Sequence, residues 1–387
     1  MEKVKLGDVC KVQGGYAFKS KEFQKDSIPI IRIGNIQDNE VEIDYNVCFT
    51  KEFLNKHPEF EIKYGDILIA MSGATVGKIG KYQNDTKALL NQRVGNFIVT
   101  EKLEKRYLYF LLQSPLFEKF ILNNAFGCAQ PNISSKQIEE FEFYNYDNVE
   151  QIEIANQLDK VQEIIDFRKK QIQELDELIK SQFVEMFGDV GKNDRNWKYT
   201  TLGKECFLNP KKSELKNMNE NFEVSFVAMP SVSENGNIDT NIIKKYDDVK
   251  KGFTYFAEND VLFAKITPCM ENGKGAVAIG LKNKIGFGST EFHVLRPKEN
   301  INSVWLYTLT AMKSFRIEAE RKMTGSAGQK RVPISFFETY NLGLPPIKLQ
   351  NQFADIVKKI DKQKFEIQKS LEETQKLQES LMNKYFG

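Results

Sequence analysis

Two different rhythms of apolar and polar residues alternate along this chain, and the alternation happens twice. Short apolar, β-branched runs broken by Gly, Asn and Pro come first: Ile28-Pro29-Ile30-Ile31-Arg32-Ile33, Asp66-Ile67-Leu68-Ile69-Ala70 and Val94-Gly95-Asn96-Phe97-Ile98-Val99. These predict strands, interrupted by a few helical stretches such as Tyr107 to Leu122. An almost Gly- and Pro-free segment follows. Its apolar residues fall at Ile154, Leu158, Val161, Ile165, Ile172, Leu175 and Ile179, steps of four and three that make a heptad seam interrupted by Arg168. A second such segment places Phe353, Val357, Ile360, Ile367 and Leu371 in the same pattern, with Lys364 and Thr374 as polar interruptions.

Some 35–39 residues at a rise of 1.5 Å predict helices of roughly 50–58 Å. A lone surface helix rarely runs that long, so two of them in one chain predict a pair. The first would carry the chain from one domain to the next. The second would run back, provided that the second domain's entry and exit lie close together. An antiparallel coiled coil with an internal pseudo-two-fold is therefore expected.

The chain also repeats itself at roughly 195–199 residues, too long for a solenoid unit and right for duplicated domains. Leu6-Gly7-Asp8-Val9-Cys10 recurs as Leu202-Gly203-Lys204-Glu205-Cys206, and Gly65-Asp66-Ile67-Leu68-Ile69-Ala70 as Asn259-Asp260-Val261-Leu262-Phe263-Ala264. Tyr107-Leu108-Tyr109 answers Trp305-Leu306-Tyr307, and Phe126-Gly127-Cys128-Ala129-Gln130 answers Thr324-Gly325-Ser326-Ala327-Gly328-Gln329. Gln151 through Gly188 aligns without a gap on Gln350 through Gly387. The expected layout is a mixed α/β (α+β) chain: a domain of short-stranded sheets at 1–149, a helix at 150–189, a second such domain at 190–348 and a second helix at 349–387. Between the landmarks the halves differ heavily, as expected of one scaffold that reads two different things.

Composition narrows the class. The 387 residues suffice for two or three domains, and 28% are charged. No apolar run is long enough to span a membrane, and the first residues lack a signal-peptide core, so a cytoplasmic protein is expected. The five cysteines show no CxxC spacing, which argues against disulfides and a clustered metal site. Net charge is only +2, but residues 190–348 carry +7 against −1 for residues 1–149. The second domain could therefore present a phosphate-binding face.

Catalytic signatures are missing. Gly73-Ala74-Thr75-Val76-Gly77-Lys78 resembles a phosphate loop, but three residues rather than four separate its glycines, and Ile79 stands where a Ser or Thr would bind magnesium. It reads as a tight turn, with Lys78 and its amides as possible phosphate contacts. An adenine methyltransferase needs Asn/Asp-Pro-Pro-aromatic; Asn209-Pro210-Lys211 and Leu344-Pro345-Pro346 do not supply it. With His57 and His293 alone, neither a metal cluster nor a serine triad assembles.

The ordered series Leu6-Gly7-Asp8, Gly65 to Lys78, Leu90-Asn91-Gln92-Arg93-Val94, Gln130-Pro131-Asn132-Ile133-Ser134 and Gln151 to Ala155 resembles the specificity subunits of Type I restriction-modification enzymes. The resemblance covers the whole chain, though Ile266 to Lys274 departs from the pattern of Met71 to Lys78. It implies two target-recognition domains, each reading half of a split, asymmetric site in double-stranded DNA, with no catalysis on this chain. It further implies two methyltransferase subunits as partners, which hold the S-adenosylmethionine; a restriction subunit can join. Two rival readings stay open: a coiled-coil scaffold whose end domains bind proteins, and the specificity partner of a Type II enzyme with a fused nuclease-methyltransferase.

Base edges are read in the major groove by Asn and Gln on adenine and by Arg and Lys on guanine. Polar loop clusters that could do so are Tyr16, Lys19 and Lys21; Ser72, Thr75 and Lys78; Asn91, Gln92 and Arg93; and Gln130, Asn132, Ser134 and Lys136. In the second half they are Lys265, Thr267 and Lys274; Thr290, Glu291 and His293; and Ser326, Gln329, Lys330 and Arg331.

Overall fold

The computed structural model describes residues 2–37, 39–125, 131–215, 218–219, 221–326 and 328–387. They form two compact units. One comprises Met1–Phe167 with Ser370–Gly387, the other Arg168–Lys369. Each long helix is thus shared, its two halves belonging to different units.

In the first unit, Glu2–Lys5 pairs antiparallel with Glu142–Asn145, which ties the start of the domain to the segment that leads into the long helix. A six-stranded sheet runs in the order Cys10–Gly14, Val94–Val99, Ile67–Ala70, Ile79–Lys81, Asn39–Val41, Ile36–Gln37. A four-stranded sheet has the order Cys48–Phe49, Ile28–Ile31, Ala88–Leu90, Glu61–Ile62, with Ile28–Ile31 and Ala88–Leu90 parallel. The second unit repeats the plan. Lys198–Thr201 pairs with Asn341–Leu344. One sheet runs Cys206–Leu208, Phe292–Pro297, Val261–Ala264, Gly275–Val277; the other runs Ile243–Lys245, Glu223–Val227, Ile285–Gly288, Thr254–Ala257. Its parallel pair, Glu223–Val227 with Ile285–Gly288, matches that of the first unit.

Strands are where the β-branched runs predict them. The stretch predicted as one helix from Tyr107 to Leu122 is two, Lys105–Leu111 and Pro115–Ala125. The break has a local cause: Ser114 Oγ accepts from Phe117 N at 3.3 Å, and Pro115 is pre-set for a first helical turn.

The long helices, Asn148–Phe187 and Ile347–Phe386, have 40 residues each. The first opens with a capping box in which Asp147 Oδ1 accepts from Glu150 N at 2.9 Å and Glu150 Oε2 from Asp147 N at 3.3 Å. One turn in, each helix buries a glutamine completely. Gln151 accepts from Glu104 N at 2.8 Å and donates to the carbonyls of Lys102 and Tyr146. Gln350 accepts from Asn302 N at 3.0 Å and donates to the carbonyls of Asn300 and Pro345. Gln151 also donates to Asn145 Oδ1 at 3.1 Å, and a buried amide with its hydrogen bonds satisfied in this way fixes where a helix leaves its domain.

Helix pairing is antiparallel within each unit. In the first, Gln378 Nε2 donates to Gln162 Oε1 at 2.7 Å and Tyr385 OH to Gln157 Oε1 at 2.8 Å, partners advancing along one helix as they retreat along the other. In the second, Asp176 meets Lys364 at 2.5 Å and Phe183 meets Phe353, with ring centroids 5.5 Å apart. Lys364, a break in the heptads, is thus a half-buried interhelical ion pair. Of the seam residues, Ile154, Leu158, Val161, Ile165, Phe353, Val357, Ile360 and Leu371 are buried, whereas Ile172, Leu175, Ile179 and Ile367 are only half-buried.

The helix ends close the cores. Phe386, 4% exposed, joins the first unit's core with Leu158, Ile154 and Tyr107, its ring 5.2 Å from that of Tyr107. Phe187, fully buried, does the same in the second unit against Trp305 at 6.0 Å and Phe353 at 5.5 Å. Phe386→Ala is expected to cost the first unit about 3–5 kcal/mol, the usual loss for a buried Phe. Hydrogen-exchange protection should fall across 2–167 and hold across 190–369, with the reverse for Phe187→Ala. Equal loss everywhere from either substitution would contradict the division into two units.

Candidate nucleic-acid interface

In the first unit the strand Ile67–Ala70 runs into a loop stitched to two others by backbone hydrogen bonds. Met71 N donates to Arg93 O, Ile133 N to Met71 O and Gly73 N to Pro131 O, all at 2.9 Å. Gln92 N donates to Tyr16 O at 2.9 Å, which adds a fourth segment. The clusters at 16–21, 72–78, 91–93 and 132–136 therefore share one edge. Gln130 lies outside the described residues.

The turn is tight. Gly77 N donates to Ala70 O and Ala70 N to Lys78 O, folding the loop back on its strand. Gly77 sits at φ +83°, where a Cβ would meet Ile121 Cγ2 at 2.6 Å, so only glycine fits. The amides of Gly73, Val76, Gly77 and Lys78 are all spent inside the fold. What this turn offers a phosphate is the exposed Lys78 side chain, not those amides.

The second unit makes the same edge with the same bonds. Lys265 N donates to Glu291 O at 2.9 Å, Val332 N to Lys265 O at 2.9 Å, Thr267 N to Lys330 O at 3.0 Å and Ala264 N to Lys274 O at 3.2 Å. Lys265 thus stands where Met71 does, Lys274 where Lys78 does, Glu291 where Arg93 does and Arg331 where Asn132 does. Although its sequence departs, the loop at 266–274 occupies the same place.

Sequence reasoning missed what holds that loop. Arg316, on the helix Lys313–Arg321, is buried and donates to the carbonyls of Thr310 at 2.6 Å, Met270 at 3.0 Å and Gly273 at 3.1 Å. Its guanidinium lies 4.1 Å from the Phe263 ring centroid. Burial pushes its pKa down to about 10, still charged at neutral pH. No local pattern marks an arginine that serves a loop 43 residues away. Asp66 and Asp260 were visible only as repeat landmarks. Both anchor strand ends, Asp66 on Lys105 at 2.9 Å and Asp260 on Arg296 at 2.7 and 2.8 Å.

Surface placement divides the candidates. Tyr16, Lys19, Lys21, Lys78, Gln92, Arg93, Asn132, Ser134, Lys136, Thr290, Ser326, Gln329 and Lys330 are exposed; Thr75, Asn91, Lys265, Thr267, Lys274, Glu291 and Arg331 are half-buried. Several already have structural work. Ser134 caps a helix by accepting from Gln137 N at 3.3 Å, and the Thr75 hydroxyl donates to Ile33 O at 3.2 Å. Ser72 and His293 are buried, contrary to the surface role expected of them. His293 Nε2 donates to Val332 O at 2.8 Å, and its Nδ1 accepts from Asn209 Nδ2 at 3.2 Å, so the imidazole bolts three segments together beneath the edge. The hydroxyls of Ser72 and Thr267 are buried without a hydrogen-bond partner among the described residues.

Glu291 and Arg331 meet on this edge. Arg331 Nε donates to Glu291 Oε2 and Nη2 to Oε1, both at 2.9 Å, and Nη1 donates to Gln329 O at 3.2 Å. The hydrogen bonds from Arg331 hold the Glu291 carboxyl below the ordinary glutamate value.

Comparison with known proteins adds to this geometry. A model of the Type I restriction modification DNA specificity domain matches residues 1–177 and again 195–378. The specificity subunit of the Type I restriction enzyme EcoAI from Escherichia coli is 41% identical over 193 residues, 48% of this chain and 32% of that protein. The MjaVIII specificity subunit from Methanocaldococcus jannaschii is 30% identical over 180 residues, 45% of this chain and 42% of that protein. The chain thus aligns with less than half the length of these curated relatives. The fold is similar to the crystal structure of a Type I restriction-modification S subunit from M. genitalium, with a TM-score of 0.55 at 14% identity, covering 100% of this chain and 96% of that one.

Burial holds the His293 pKa below its ordinary 6.5, and Lys265 pushes the same way, while the Val332 carbonyl pulls against them. A depressed histidine stays neutral in the folded state, so the unfolded chain binds the extra proton first. The stability it contributes is complete above pH 6.5 and is lost as pH falls from there through the folded value. Urea melts of the second unit should therefore weaken on acidification in that window, and His293→Gln should weaken less. Parallel pH curves for the two proteins would refute the neutral, Asn209-accepting imidazole.

Proposed function

The chain belongs to the Type I restriction-modification DNA specificity family, and from that membership we propose that it is the sequence-reading subunit of such a complex. Each unit reads one half of a bipartite, asymmetric site in double-stranded DNA. Catalysis resides on partners: two methyltransferase subunits that bind S-adenosylmethionine and, where one joins, a restriction subunit. No helix among the described residues is long and apolar enough to cross a membrane, in keeping with a cytoplasmic site of action.

One observation carries this reading. The same backbone edge is built twice, with the same hydrogen bonds, yet it displays Arg93 and Asn132 in one unit and Glu291 and Arg331 in the other. A conserved frame with exchanged polar side chains suits reading two unlike base sequences through base-edge contacts. Lysines around the edges, including Lys78, Lys136, Lys274 and Lys330, suit phosphate. The helices are the docking surface we assign to the methyltransferases. In the second unit Leu175, Leu178 and Ile367 line an open apolar groove, and Phe365 on the same stretch is 66% exposed.

The purified chain, given labelled S-adenosylmethionine and DNA, should transfer no methyl groups and cut nothing. Adding the methyltransferase subunit should produce methylation of one adenine on each strand of a split site. Robust methylation by the chain alone, or a reconstituted complex indifferent to DNA sequence, would overturn the assignment.

A further inference from the structure

Among the polar residues of the second unit's edge, one side chain is held ready rather than left loose. The Arg331 backbone is fixed on both sides: Thr324 N donates to Arg331 O at 3.0 Å and Arg331 N to Thr324 O at 2.8 Å. Its guanidinium is fixed too. Glu291 fills the edge formed by Nε and Nη2, and Gln329 O takes one hydrogen of Nη1. Nη1 and Nη2 each keep one further hydrogen, and the terminal edge of the fork, where an Nη1 and an Nη2 hydrogen lie side by side, is not taken by Glu291. The side chain remains 42% exposed.

We propose that Glu291 braces Arg331 so that its terminal edge reads a guanine in the half-site of the second unit. This rests on the DNA-reading function above and names the reader and its ligand. Two parallel donors match guanine, whose O6 and N7 both accept in the major groove; adenine puts an amino donor opposite one of them. Charge separates base from phosphate. Paired with Glu291, the guanidinium carries no net charge as a unit, which weakens its pull on phosphate and leaves its directional bonds intact. A carboxylate on a DNA-facing edge is repelled by the backbone unless it serves something, and here it serves orientation. Bracing also removes rotamer freedom before binding, which a free arginine would lose on contact. The equivalent position in the first unit carries Asn132, the residue type that makes the corresponding bidentate contact to adenine. Arg331 would touch the base; Glu291 acts through it as a positioning residue.

The test uses the complex reconstituted with its methyltransferase, with methylated motifs mapped by sequencing and DNA binding measured across a salt series. Arg331→Ala should relax one guanine position in one half-site, lowering preference there by about 5- to 150-fold. The other half-site and the salt slope should stay as they are. Arg331→Lys, which keeps charge but loses the fork, should relax the same position. Glu291→Gln should weaken preference at that position and no other, and in combination with Arg331→Ala should add nothing.

Uniform weakening on all sequences, with a salt slope shallower by about one ion, would make Arg331 a phosphate contact and overturn the proposal. So would a motif unchanged by both single variants alongside a lower melting temperature, the mark of a purely structural pair. A Glu291→Gln effect at a different base would overturn it as well, since the carboxylate would then be reading for itself. If Arg331→Ala abolishes methylation altogether, the lysine variant decides: full guanine preference in that protein refutes the fork. A wild-type complex without a motif would take down the underlying reading; a wild-type motif that these variants leave intact takes down this proposal alone.

Discussion

Everything else in this chain depends on a long-range exchange of helix ends. The core of the first unit is unfinished without Phe386, and that of the second without Phe187. Each unit supplies the start of one long helix and needs the tail of the other. The buried glutamines make that exchange specific. Gln151 and Gln350 bind backbone groups of the segments at 102–104 and 300–302 and of the residues just before each helix, so the helices leave the sheets at fixed places. A slip along either helix would bury an unpaired amide and lift an aromatic ring out of a core, each a loss of kilocalories per mole. The few-kilocalorie margin that keeps ordinary domains folded cannot absorb several such losses at once.

Much of this architecture was legible because it is written in local periodicity. Heptad steps predicted both long helices, which run Asn148–Phe187 and Ile347–Phe386, and the repeat showed that the sheets come in two copies. The seam was less faithful at its middle, where Ile172, Leu175 and Ile367 are only half-buried while Lys364 makes an ion pair with Asp176. Periodicity reports which face a residue shares, not how closely a partner approaches. The polar edge was legible as a set of clusters, but their convergence was not, because it rests on backbone bonds between segments as far apart as Met71 and Ile133. For the same reason Ser72 and His293 looked like surface readers and are interior. Arg316, buried against carbonyls and an aromatic face, carries no signature that separates it from its exposed neighbours.

The structure also accounts for how two halves can diverge without losing the fold. The bonds that make the edge are between backbone groups, which place no demand on the side chains. Met71 and Lys265, Arg93 and Glu291, Asn132 and Arg331 exchange freely in such a frame. Where the backbone itself is demanding, both halves keep a left-handed glycine, Gly77 at φ +83° and Gly273 at φ +85°, and the second adds the buried guanidinium of Arg316 beneath the loop. Specificity can then drift while stability is held by residues beneath.

Independence of the two reading units is the central claim, and it can be measured directly. Residues 190–346 would be replaced by the corresponding segment of a relative with a different motif, both long helices being retained. The hybrid, expressed with its methyltransferase, would then be scored by methylation-sensitive long-read sequencing of the host genome. The account predicts a motif with one half replaced by the relative's and the other half untouched. A hybrid that methylates DNA with both halves of its motif altered would contradict it.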